Sequence, residues 1–154
     1  AKKLKLPFAD TDQHLLDNAG RSVDQIVEAE GWAGFRQRES AALREVTNAR
    51  THGGVISTGG GMVLAEANRV FMRQYGMVVF LDAPVEVLAE RLGRNPLSSQ
   101  RPSLTGKGLM EEIGDVLKER RPLYEAAAHH IVDATRPLPS ICRHIADLWK
   151  TRAH

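Results

Sequence analysis

The sequence predicts an α/β fold in which a parallel sheet is covered by helices. Strand-like and helix-like segments alternate along its 154 residues, as in chained strand–helix–strand units. Residues 77–81, Met-Val-Val-Phe-Leu, are uniformly apolar, as a strand buried on both faces of a parallel sheet should be. The length suits one domain, residues 1–154, with a core of its own.

Each element has its own signal. Pro7-Phe8-Ala9 leads as a short apolar strand into Asp10-Thr11-Asp12. Ser22 and Gln25 have capping-box spacing before a helix that carries Val23, Ile26 and Val27. Beyond Gly31 a second helical stretch, 34–46, lines up Phe35, Ala42, Leu43 and Val46 on one stripe. A strand over 55–58 runs into Gly59-Gly60-Gly61, and a helix is expected over 65–75. Pro84 suits the first position of a helix reaching Leu92. Residues 93–108 are rich in Gly, Asn, Pro, Ser and Thr, which predicts a mobile loop. A long helix over 109–128, a strand over 130–133 and a last helix over 138–151 complete the chain.

Composition excludes several classes. A formal net charge of +2 is too small an excess to indicate a nucleic-acid partner. The longest clean apolar run, 77–81, is far short of a membrane span. Cys142 is the only cysteine, so no intrachain disulfide can form and a reducing compartment is the simpler expectation. No signal peptide is visible. A cytoplasmic protein that engages neither membrane nor nucleic acid is expected.

In parallel α/β sheets, ligands bind beyond the carboxyl ends of the strands. Asp10-Thr11-Asp12 and the three glycines both fall at such ends. Asp10 and Asp12 point the same way in extended chain. Arg36 begins a helix, Arg101 precedes Pro102 in the mobile loop, and Arg120 lies on the long helix. Together they suggest a ligand with an anionic side and a hydroxylated side.

The segments "ADTDQ", "GWAGFRQRESAAL", "ISTGGGMVL", "RPSLTG" and "KERRPLYEAAAHHIVDAT" resemble, in order and spacing, the motifs of the shikimate kinase family. The resemblance runs from Pro7 to the C-terminus. It implies a three-layer α-β-α P-loop kinase fold with a parallel sheet of strand order 2-3-1-4-5. It also implies transfer of the ATP γ-phosphate to the 3-hydroxyl of shikimate, with Mg2+, in aromatic amino-acid (chorismate) biosynthesis. Arg36 and Arg120 would grip the shikimate carboxylate, a task suited to the guanidinium fork. Asp12 would accept hydrogen bonds from ring hydroxyls and help remove the attacking proton. Gly60, with Gly59 and Gly61, would offer backbone N–H groups, and Phe35 would pack against the carbocycle. Asp10 would hold magnesium through water. Arg101 would enter with a lid, 93–108, and neutralise the phosphoryl group in flight. Arg91, Arg136 and Pro139 would sandwich the adenine. A monomer is implied.

One motif of that family does not occur here. G-x-x-x-x-G-K-[ST], which wraps phosphates and anchors magnesium, is found nowhere in the 154 residues. Matching Asp10-Thr11-Asp12 to the family places Ala1 inside the first helix. The resemblance therefore implies that the first strand and phosphate loop are missing, and that the chain is inactive as it stands. Two alternatives stay open: a degenerate, non-catalytic shikimate-binding module, and another small-metabolite kinase such as a gluconate kinase.

Each feature also has a plainer reading. The glycines could form only a tight turn, and Asp10 and Asp12 could be solvated or cap a helix. Arg38 and Glu39 would ordinarily be an exposed charged face, and Arg121 a solvated neighbour of Arg120. His129-His130 would be structural, Cys142 a small buried residue of the last helix, and Trp32 packing beside the predicted site.

Overall fold

A computed structural model describes residues 1–94 and 108–152. These fall into two compact units, Ala1–Asn68 and Arg69–His154, and each is built around one pair of parallel strands.

In the first unit β1 (Phe8–Asp10) pairs with β2 (Val55–Ser57), Phe8 opposite Val55 and Asp10 opposite Ser57. Parallel pairing brings the carboxyl ends of both strands to the same end of the sheet. The helix α1 (Thr11–Ala19) starts directly off β1 because Asp10 caps it: its Oδ1 accepts from the Asp12 and Gln13 amides at 2.9 and 3.1 Å. Gly20, at φ 60°, ends the helix in the left-handed conformation.

The next helix, α2 (Val23–Asn48), opens on the capping box read from the sequence. The Gln25 amide donates to Ser22 Oγ at 3.3 Å, and the Ser22 amide donates to Gln25 Oε1 at 3.0 Å. At Gly31 the backbone turns to φ 69°, ψ 175°, a region essentially closed to residues with a Cβ. The chain thus breaks where the sequence separated two helices. Leu15, Ile26, Phe35 and Ala42 form the buried core between α1 and α2, with Leu16, Ala19, Val23 and Val27 around them. After the three glycines comes a 3₁₀ turn, Met62–Leu64, whose Met62 and Val63 are buried.

The helix α3 (Glu66–Tyr75) leads into the second unit. There β3 (Val79–Asp82) pairs with β4 (His130–Asp133), Val79 opposite His130. Three helices accompany them: α4 (Val85–Gly93), α5 (Leu109–Ala127) and α6 (Leu138–Arg152). The core here is Ala83, Val132, Ala134 and Ile141, flanked by Val79, Val87, Leu88, Ile145 and Leu148. No described helix is long and apolar enough to cross a membrane.

Two burial expectations need correction. Leu81, expected to be buried on both faces of its strand, is 52% exposed. Among the described residues β3 is paired on one edge only, so water reaches Leu81 from the other. Cys142, expected inside, is exposed. The buried positions of α6 are Ile141 and Ala146, and one residue beyond Ile141 the helix has turned about 100° away from the core.

Candidate functional site

The common sheet end of the first unit gathers most of the residues singled out from the sequence. Asp12 lies in the first turn of α1, and the glycine run follows β2. A Cβ placed on Gly59 would stand 2.6 Å from Asp12 Oδ1, and one on Gly61 would fall onto the Arg36 guanidinium. None of the three glycines has a positive φ. What position 61 requires is therefore room, not an unusual dihedral: the backbone there is bare so that Arg36 can reach it. Asp12 thus lies against Gly59 and Arg36 against Gly61, on the same glycine run.

Arg36 is held from behind. Its Nη1 donates to Glu39 Oε2 at 2.5 Å, and the Glu39 side chain is only 4% exposed. The guanidinium also lies over the rings of Trp32 and Phe35, at 5.3 and 5.5 Å. Glu39 is thus a second correction to the expected charged face: it is buried and orients Arg36. The signal that could have found it is its place on the stripe of 35, 39, 42 and 46, where an unpaired carboxylate would be costly. Arg38 does face outward, and it donates twice to Glu30 at 2.8 Å. Hydrogen bonding from Arg38, and then from Arg21, holds the Glu30 carboxyl below its usual range.

Phe35, expected to lie against a ligand ring, is 7% exposed and built into the α1–α2 core. Trp32, edge-on to Phe35 at 5.8 Å and 38% exposed, presents the open aromatic surface instead. Asp10 uses Oδ1 as the helix cap. Among the described residues no cluster of three or more His, Cys, Asp or Glu could hold a metal ion.

The remaining expected residues belong to the second unit. Arg120 lies on α5, and its Nε is buried with no hydrogen-bond partner among the described residues. Its neighbour Arg121, expected to be solvated, grips both oxygens of Asp82 at 3.0 and 2.7 Å and lies over the Phe80 ring at 5.9 Å. The hydrogen bond to Asp82 raises the Arg121 pKa, and the pair ties α5 to the end of β3. Arg91 on α4 donates to the Ala134 carbonyl at 2.7 Å, just ahead of Arg136. Arg136 reaches Asp133 at 3.4 Å, and Pro139 is exposed in the first turn of α6. Arg101 and most of the expected lid, 93–108, lie outside the described residues.

His129 has a structural partner, as its plain reading required: its Nδ1 accepts the Val78 amide at 3.1 Å. Burial and then the nearby Arg73 charge push its pKa below the usual histidine value. Arg73 itself donates to the carbonyl of Ala128 at 2.7 Å, at the C-terminal end of α5.

A sequence profile described as shikimate kinase matches residues 1–149. The chain belongs to the shikimate kinase family. Among curated members, shikimate kinase 2 of Yersinia enterocolitica is 51% identical over 145 residues, covering 94% of this chain and 82% of that protein. Shikimate kinase 2 of Escherichia fergusonii is 53% identical over 135 residues, covering 88% of this chain and 73% of its own. The solved shikimate kinase from Acinetobacter baumannii, in complex with shikimate, matches at TM-score 0.88 and 33% identity, over 99% of this chain and 83% of that one. Shikimate kinase from Aquifex aeolicus matches at TM-score 0.79 and 33% identity, over 99% and 86%. The α/β class with parallel strands is common to this chain and the family.

Proposed function

We propose that this chain is a shikimate kinase, transferring the γ-phosphate of ATP to the 3-hydroxyl of shikimate in aromatic amino-acid biosynthesis. The observation that carries this reading is that Asp12 lies against Gly59 and the Glu39-held Arg36 against Gly61, on one glycine run. That combination suits a ligand with a carboxylate on one side and hydroxyls on another. Arg36 and Arg120 take the carboxylate; the unpartnered Nε of Arg120 supports its share. Asp12 accepts from the ring hydroxyls and receives the proton as the 3-hydroxyl attacks. Gly60 and its neighbours present N–H groups, with Phe35 and Trp32 forming the apolar wall.

On the nucleotide side, Arg91, Arg136 and Pro139 flank the adenine. The hydrogen bond from Arg91 to Ala134 supports placing Arg91 beside the 134–139 segment. Arg101 neutralises the phosphoryl group. Asp10 spends one carboxylate oxygen on the helix cap and keeps the other for a water-mediated contact with magnesium. Asp10 would hold the ion through water, and the ion would offset the charge of the ATP phosphates. The family's strand order 2-3-1-4-5 is part of the same proposal: with β1, β2, β3 and β4 counted as its strands 2, 3, 4 and 5, the pairings β1–β2 and β3–β4 are its two outer pairs. Action as a cytoplasmic monomer completes it.

A second reading, a non-catalytic shikimate-binding module, is kept because no G-x-x-x-x-G-K-[ST] occurs in these 154 residues. The test is 31P NMR of the protein with ATP, magnesium and shikimate, and a parallel sample with gluconate. The kinase reading predicts a new phosphate monoester on shikimate alone, against the inactivity expected from the absence of G-x-x-x-x-G-K-[ST] in these residues. Shikimate binding without phosphate transfer assigns the chain to the second reading, and transfer to gluconate overturns both.

A further inference from the structure

Asn68, 2% exposed at the start of α3, is buried among groups that no catalytic role explains. Its side-chain amide donates to Ser40 Oγ at 2.9 Å and to the Met62 carbonyl at 3.3 Å. Ser40 Oγ in turn donates to the Arg36 carbonyl at 3.1 Å. On the other side Arg44 Nη1 donates to Asn68 Oδ1 at 3.3 Å and to the Ser40 carbonyl at 2.9 Å. One carboxamide thus spans two segments. It touches α2 one turn beyond Arg36, and it touches the 3₁₀ turn at the residue directly after Gly61.

We infer that Asn68 is a positioning residue for the acid site, setting the register between Arg36 and the glycine turn. This rests on reading that site as the shikimate site. The geometry leaves little tolerance. The Arg36 guanidinium occupies the space a Cβ on Gly61 would need, so a small slip of α2 against the turn drives the guanidinium into backbone or away from it. The Arg36–Glu39 pair lies within one helix and cannot by itself set that register. A fully satisfied buried amide bridging both segments can, because every alternative offset leaves buried polar groups unpaired.

The test uses a Trp149→Phe background, in which Trp32 is the only tryptophan and stacks on Arg36. Asn68→Asp keeps size and the acceptor for Arg44 but removes both donated hydrogen bonds. It should raise the shikimate Kd about tenfold and shift Trp32 emission in the ligand-free protein. Ser40→Ala should act in the same direction, Ser40→Thr should restore binding, and the Ser40→Ala/Asn68→Asp double variant should be less than additive. A purely structural Asn68 would lower the melting temperature while leaving Kd and Trp32 emission unchanged, which overturns the inference. Should Asn68→Asp fail to fold, the Ser40 pair decides alone. Wild-type protein that does not bind shikimate refutes the functional reading instead. The emission measurement needs no ligand and still judges the Asn68 link.

Discussion

Arg36 answers to two partners, the buried carboxylate of Glu39 and the backbone at Gly61. Arg36→Ala removes the cation that is hydrogen-bonded to the buried Glu39 carboxylate. It should cost about 2–3 kcal/mol in chemical denaturation and weaken shikimate binding far more than ATP binding. Gly61→Ala separates the two effects. Its φ is not left-handed, so the change adds no backbone strain, and the melting temperature should fall less than in Arg36→Ala. Its Cβ would displace the guanidinium, and the shikimate Kd should rise about tenfold or more by calorimetry. Loss of fold with Kd unchanged would reverse that assignment. At this scale Asp12 and the glycines were legible because they stand just beyond strand ends, and Arg36, on α2, because it follows Phe35 at an expected helix start and matches the family's motif. Glu39 and Asn68 were not. A carboxylate beside Arg38 resembles surface charge, and an asparagine near a helix start resembles a cap, until the tertiary partner that makes burial affordable is known.

The elements show where local chemistry overrides ambiguity. The capping box at Ser22 and the break at Gly31 were both legible, since each depends on residues within one turn. At Gly31 the backbone lies in a region open to glycine, so Gly31→Ala should destabilise the first unit by about 1–3 kcal/mol, measured by thermal melting. The exposure of Leu81 was not legible, because an apolar run does not reveal how many edges of its strand are paired. His129 gives the second unit a pH dependence. Burial, and then the nearby Arg73 charge, holds the folded-state pKa below the ordinary 6.5, and Nδ1 accepts the Val78 amide. Its contribution is therefore complete above pH 6.5 and is lost as acid protonates the ring. The melting temperature should fall from pH 7.5 to about pH 5, and His129→Gln should flatten part of that fall. A steeper fall in the variant would contradict this.

For the whole molecule, strand–helix alternation was enough to give the α/β class, because parallel strands need crossover helices between them. The positions of the strands and of nearly all helices followed from periodicity. Which strands pair across long sequence gaps did not follow from the residues alone, since β1 and β2 are joined through contacts that no local pattern encodes. The family resemblance supplied a strand order, and the family itself is matched over residues 1–149. The central claim is that the first unit carries a site for the shikimate carboxylate and hydroxyls, centred on Arg36. Its most direct measurement is calorimetric titration of the protein and of Arg36→Ala with shikimate. The account predicts saturable one-to-one binding that Arg36→Ala abolishes. Absence of binding by the unaltered protein, or equal binding by both, would contradict it.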